Sequence, residues 1–210
     1  MRSVFFVVVI CLSLLASSAV TAQDFDWTGE ESHRSLMRRL SGSYMLTASI
    51  NCLSTAEGFG PNGELLGKSG TALNSVSGIL SLSRDGTGSI DAENAGITAG
   101  DRVAGLIVVS NSTLECDVAW NIGDDRVLSL TASCTGDVLS GEAAGLSFVS
   151  APFDLTGVLP QRSSLPILLA NTTPEVEIFQ IPTIGFSAEQ KCGRTAQIVK
   201  IGNDADSDSD

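Results

Sequence analysis

Cys116 and Cys134 flank a stretch of alternating apolar and polar residues that can fold back on itself in only one sorted way. A hairpin centred on Asp125 sets Ile122 against Leu128, Trp120 against Leu130, Val118 against Ala132 and Cys116 against Cys134. The other face pairs Asn121 with Ser129, Ala119 with Thr131 and Asp117 with Ser133. A slip of one residue would turn the whole apolar set outward, so this sorting defines the register. It places the two cysteines opposite each other on the apolar face and implies a Cys116–Cys134 disulfide, worth about 3 kcal/mol for a loop of that size.

Such a bond belongs in an oxidising compartment, and the start of the chain supplies a route to one. Arg2 precedes an apolar run from Val4 to Leu15, followed by small residues ending at Ala22 and then polar Gln23. This predicts a signal peptide over residues 1–22, cleaved after Ala22, and a secreted or periplasmic protein. The run is shorter than the roughly 20 apolar residues of a spanning helix, and no later segment is long enough, so no membrane span is expected after cleavage. Cys11 leaves with the signal, and Cys52, Cys116, Cys134 and Cys192 remain. An even count in an exported chain predicts two disulfides. Four cysteines allow three pairings, and the hairpin register leaves Cys52 for Cys192, joining the first strand to the last. Zinc is disfavoured, because there is no C-x-x-C and the single histidine, His33, lies far from every cysteine in sequence.

Residues 23–41 form an N-terminal segment with one amphipathic helix, expected from Asp26 to Gly42. Thr28 and Glu31 make a capping box, Arg38 and Arg39 fill the last turn, and Gly42 stops it. Leu36 and Leu40 share a face that should lie on a sheet or cap an open end, with His33 at its rim. The period then changes to two. Tyr44, Leu46, Ala48 and Ile50 line one side of a strand, and residues 54–70, rich in glycine, form a long loop. A three-residue Arg84-Asp85-Gly86 turn pairs Leu82 with Gly88, Leu80 with Ile90 and Gly78 with Ala92. Further strands are expected at Gly145 to Ser150, Phe153 to Leu159, Val176 to Ile181 and Thr195 to Ile201, with prolines confining their neighbours to edges. Short strands with regular turns over residues 42–202 predict an all-β fold: an antiparallel barrel or sandwich of about nine or ten strands. Residues 203–210, alternating Asp with small residues, form an acidic tail expected to be disordered. They lack the glycine and glutamate of a calcium loop.

Three runs resemble uncharacterised exported bacterial proteins with a lipocalin-like strand pattern: Gly42-Ser43-Tyr44, Asp85-Gly86-Thr87-Gly88 and Cys192-Gly193-Arg194-Thr195-Ala196. The resemblance implies export and a β-barrel and brings no activity with it. The G-x-W signature of lipocalins themselves is absent.

Composition narrows the function classes. The chain has a net charge of −12, and its surface would repel phosphate backbones, so nucleic acid is not an expected partner. Gly67-Lys68-Ser69 lacks the upstream spacing of a phosphate loop, and Gly145-Leu146-Ser147-Phe148-Val149 misses a nucleophile elbow at its last residue. No catalytic residue and no cofactor is expected. The leading expectation is a non-enzymatic barrel that holds a small apolar ligand, with Leu80, Ile90, Trp120 and Leu130 pointing inward and the 54–70 loop as a lid. The same four residues would serve equally as a packed core in a surface or envelope protein that binds an extracellular partner. A carboxylate-based hydrolase is a third reading. Asn111-Ser112-Thr113 and Asn171-Thr172-Thr173 are glycosylation sequons.

Overall fold

The structure, a computed structural model, describes residues 33–100, 107–123, 125–141, 143–160, 165–171 and 173–202. The expected signal peptide, residues 26–32 of the expected helix and the acidic tail lie outside the described residues. Ten strands pair antiparallel throughout: β1 (Gly42–Thr55), β2 (Ser69–Leu82), β3 (Thr87–Gly100), β4 (Ile107–Ile122), β5 (Val127–Asp137), β6 (Ser147–Ser150), β7 (Phe153–Val158), β8 (Ile167–Ala170), β9 (Val176–Ile181) and β10 (Phe186–Gly202).

β1 to β5 form a continuous meander. β10 returns along β1 from Ser43–Gly202 to Thr55–Glu189, and the sheet closes into a ring of eight strands. The ring needs only eight because four short strands share the wall between β5 and β10 in two tiers. β5 pairs with β7 through Val127–Ala132 and with β6 through Thr135–Asp137. β10 pairs with β9 through Phe186–Lys191 and with β8 through Thr195–Ile198. The all-β antiparallel class and the pairing of first strand with last agree with the sequence.

Both hairpin registers are as the alternation requires. Leu82 faces Gly88, Leu80 faces Ile90, and Gly78 faces Ala92. Gly86 takes the left-handed conformation that a side chain would resist, with φ 86°, and Ser83 N–H donates to Thr87 O at 2.8 Å. The Asp85 carboxyl is held below its ordinary range by hydrogen bonds from the Thr87 hydroxyl and N–H. In the second hairpin Ile122 faces Leu128 and Cys116 faces Cys134.

Between the two tiers runs a seam. Residues 133–134 of β5 and 192–194 of β10 have no strand beside them on that side. One backbone bond crosses there, from Asn171 N–H to Arg194 O at 3.2 Å, and side chains supply the others. The Asn171 amide accepts from Arg194 N–H at 2.7 Å and donates to Cys192 O at 2.6 Å, as a strand peptide would. The Ser150 hydroxyl lies 3.3 Å from Cys134 N. At the same level each flanking strand is tied to its unbroken neighbour: β5 to β4 by Cys116–Cys134, with Cα atoms 4.0 Å apart, and β10 to β1 by Cys52–Cys192, at 4.1 Å. Both inferred disulfides are present.

Helix α1 (His33–Leu40) closes one end of the ring. Leu36 and Leu40 are buried in one core cluster with Tyr44, Leu82, Ile122 and Ile198. The Tyr44 hydroxyl donates to Leu40 O, and Lys200 Nζ donates to Arg39 O at 2.6 Å and Ser41 O at 2.8 Å. These bonds satisfy carbonyls that a helix end leaves without intrahelical partners. No helix among the described residues is long and apolar enough to cross a membrane.

The two disulfides should differ in weight because they close loops of 140 and 18 residues. In urea unfolding without reductant, replacing both Cys116 and Cys134 by Ala should cost about 3 kcal/mol, and replacing Cys52 and Cys192 about 5 kcal/mol. Equal losses, or the reverse order, would show that chain entropy does not govern this fold.

Candidate functional site

The inner face of the ring changes character part-way along. Toward α1 it is apolar and packed. Leu80, Trp120 and Leu130 are buried there in one core cluster, and the Trp120 indole N–H is shared between Ser83 O at 3.0 Å and Thr87 O at 2.9 Å. Ile90 differs from those three. With Ala48, Leu114 and Phe153 it is only partly buried and packs against the cluster from the side away from α1. Of the four residues expected inside, Leu80, Trp120 and Leu130 lie in the core cluster and Ile90 packs against it, partly buried.

Beyond the cluster, Ile50, Ala72, Asn74, Asn94, Thr98 and Ser110 hold inward positions by strand alternation yet remain part-exposed. An inward side chain of a closed ring meets solvent only through an open lumen. A ring of eight strands is just wide enough for side chains to fill or for one small molecule to enter. The α1 half is filled, and in the far half the inward residues are less completely covered.

Two polar groupings line this half. Arg194 and Glu177 are 6% and 5% exposed, and both guanidinium NH2 groups donate to the two carboxylate oxygens. The Phe153 ring lies 4.1 Å from Arg194 Cζ. A buried pair of this kind is costly to break, because the partner left behind is an uncompensated charge. Arg194 Nε is buried without a hydrogen-bond partner among the described residues. Across the lumen, Asn94 Nδ2 donates to Asn74 Oδ1 at 3.3 Å and to Ser112 Oγ at 3.1 Å, whereas Asn94 Oδ1 is buried and unpartnered. The short-strand wall adds Phe148 and Phe179, with ring centroids 5.5 Å apart. Phe148 lies over Gly136, where an added Cβ would come within 2.5 Å of the ring, so the glycine is what lets the aromatic lie on the strand.

Neither grouping was singled out in the sequence. Arg194 stood in one of the three resemblance runs, and Glu177 alternated with Val176 and Ile178 with nothing to mark it as buried. The 54–70 loop does not span the mouth as a lid. Phe59 N–H donates to Glu189 Oε2 at 3.2 Å, and Lys191 Nζ sits 4.7 Å from the Phe59 ring, both on the outer face of β10. His33 Nε2 lies 2.9 Å from Asn121 Oδ1, an exposed contact outside the ring. Of the sequon asparagines, Asn111 is exposed and Asn171 is engaged in the seam. No group of three or more His, Cys, Asp or Glu among the described residues could hold a metal ion. No protein-family model, curated protein or solved structure matches the chain.

The openness of the lumen has a direct check. Ala48→Cys puts a thiol on the surface of the core cluster, reachable only through the lumen. In the folded, disulfide-intact protein it should react with methyl methanethiosulfonate and resist a polymer-linked maleimide. Resistance to both would mean that the far half is filled.

Proposed function

We propose that the protein is an exported, non-enzymatic binding module that holds a small molecule in the open half of its ring. The observation that carries this reading is the set of inward side chains that stay part-exposed inside a closed sheet, from Ile50 and Asn74 to Asn94 and Ser110. Two disulfides are compatible with a secreted or periplasmic site of action. The resemblance to exported proteins with a lipocalin-like strand pattern fits the same reading. The apolar ligand contact expected of the interior narrows to the part-exposed surface of Ala48, Ile90, Leu114 and Phe153, while the walls above it are largely polar. Binding is preferred to hydrolysis because two-carboxylate chemistry needs a second acid across the bound atom. Glu177 is the one carboxylate on the inner face among the described residues, and Arg194 occupies both its oxygens.

A second reading, contact with an extracellular partner, is favoured by the outer face. Leu73, Ile97 and Val109 are cross-strand neighbours, 56%, 46% and 62% exposed, in a row across β2, β3 and β4. A contiguous exposed apolar row is a common mark of an interaction surface.

Native mass spectrometry of protein purified without denaturation distinguishes the two. The ligand reading expects a fraction heavier than the disulfide-bonded chain by one small molecule, released on acid unfolding. A mass equal to the bare chain from every expression source, together with a stable complex captured through Leu73 and Ile97, would favour the second reading.

A further inference from the structure

We propose that the lumen takes an uncharged ring-shaped molecule with a hydrogen-bonding rim, its face on Phe148 and Phe179 and its rim toward Asn74, Asn94 and Ser112. This inference rests on the lumen reading above and adds the chemical class of the ligand.

The topology sets the two walls against each other. In the ring order β1-β2-β3-β4-β5-β6-β9-β10, strand β6 stands halfway round from β2, and β9 halfway round from β3. Phe148 on β6 is therefore opposed by Asn74 on β2, and Phe179 on β9 by Asn94 on β3. Phe148 is registered against Gly136, Phe179 against Ala188, and these positions all belong to the inward set. One wall offers an aromatic surface and the facing wall offers amides and a hydroxyl.

Charge excludes most other ligands. The outer faces of β1 to β5 carry acids such as Asp91, Glu93, Glu115 and Asp117 and no lysine or arginine, a field that turns anions away from the mouth. Inside the open half, the charged inward side chains among the described residues are Arg194 and Glu177, and each neutralises the other. An entering anion would find no free cation, and an entering cation would find no free carboxylate. Burial of either without a partner is strongly unfavourable. A neutral molecule meets no such penalty.

The unsatisfied atoms specify the rim. The Asn94 amide is oriented by two acceptors for its Nδ2, which leaves Oδ1 buried and in need of a donor. Arg194 Nε is a buried donor in need of an acceptor. Neither atom has exposed surface as it stands. A small turn of the Asn94 amide or the Arg194 guanidinium is what would bring it to a bound molecule, which would then supply the bond that buried polar atoms rarely go without. A hydroxyl answers either atom, and so do the N–H and C=O groups of an uncharged heterocycle. A pyranose and a neutral heterocycle thus present the same chemistry, an apolar face with a polar edge.

The test is isothermal calorimetry on the full disulfide-bonded protein with two arms. One arm uses methyl glucoside and N-acetylglucosamine, and the other uses uracil and adenine. Glucuronate and glucosamine serve as charged counterparts. The proposal expects saturable binding in at least one neutral arm and at least about tenfold weaker binding of the charged pair, the size of one lost buried hydrogen bond or unpaired charge. Asn94→Ala and Phe179→Ala should each weaken the neutral ligand by about tenfold, measured below the thermal midpoint of each variant. Binding of the charged probes in preference to the neutral ones overturns the class and leaves the lumen reading standing. Absence of binding in both neutral arms, with the Ala48→Cys thiol reactive, also overturns the class. If that thiol is unreactive, the lumen reading itself has failed.

Discussion

Every backbone N–H and C=O along a strand has to find a partner or remain in water, and in this chain the demand is hardest to meet where β5 and β10 lose their neighbours. Four short strands cannot supply an unbroken ladder across that gap. β7 meets β8 at one registered pair and β6 meets β9 at two. The seam between the tiers is held by Asn171 acting in place of a peptide, by Ser150 beside Cys134, and by the Arg194–Glu177 pair behind them. The disulfides fall at this level because here the sheet is least able to hold itself by backbone bonds alone. Each cystine transfers the position of a seam strand to a neighbour that is fully paired.

From this closure follow the two unlike halves of the interior. Around α1 the inward residues are Leu, Ile, Tyr and Trp, and burial of that set supplies the hydrophobic stabilisation of the domain. Away from α1 the inward residues of β2 and β3 shrink to Ala72, Asn74, Asn94, Gly96 and Thr98, and those of β4 to Ser110 and Ser112. The facing wall carries Phe148, Phe179 and the Arg194–Glu177 pair, so this half is packed less completely. Rigidity in this half has to come from elsewhere, and the buried ion pair and the disulfides provide it. A pocket held open in that way loses little entropy on binding, which is the physical advantage of placing a binding site in the lumen of a closed sheet.

The sequence was informative where it was conventionally patterned. Alternation between Tyr44 and Ile50, and between Cys116 and Cys134, led directly to strands, register and disulfides, because one face was apolar and the other polar. It was uninformative where the pattern inverts. In the far half Leu73, Ile97 and Val109 point out while Asn74, Asn94 and Ser112 point in, so the usual assignment of apolar to inside misleads. For the same reason the first half of β4 and residues 186–194 of β10 were not anticipated as strands. Ser187-Ala188-Glu189-Gln190-Lys191 carries too little apolar residue to signal one. Arg194 and Glu177 were invisible as a pair, since nothing in the spacing of β9 and β10 announces that they meet.

If side chains do complete the sheet at the seam, the backbone there must be protected from solvent although no strand lies beside it. Residue-resolved amide hydrogen exchange measures this directly. The Arg194 amide, bonded to the Asn171 side chain, is predicted to exchange within about tenfold of Ala196, its counterpart in the β8 ladder, and to be released selectively by Asn171→Ala. An Arg194 amide in the wild-type protein that exchanges as fast as an unstructured one would contradict a closed ring.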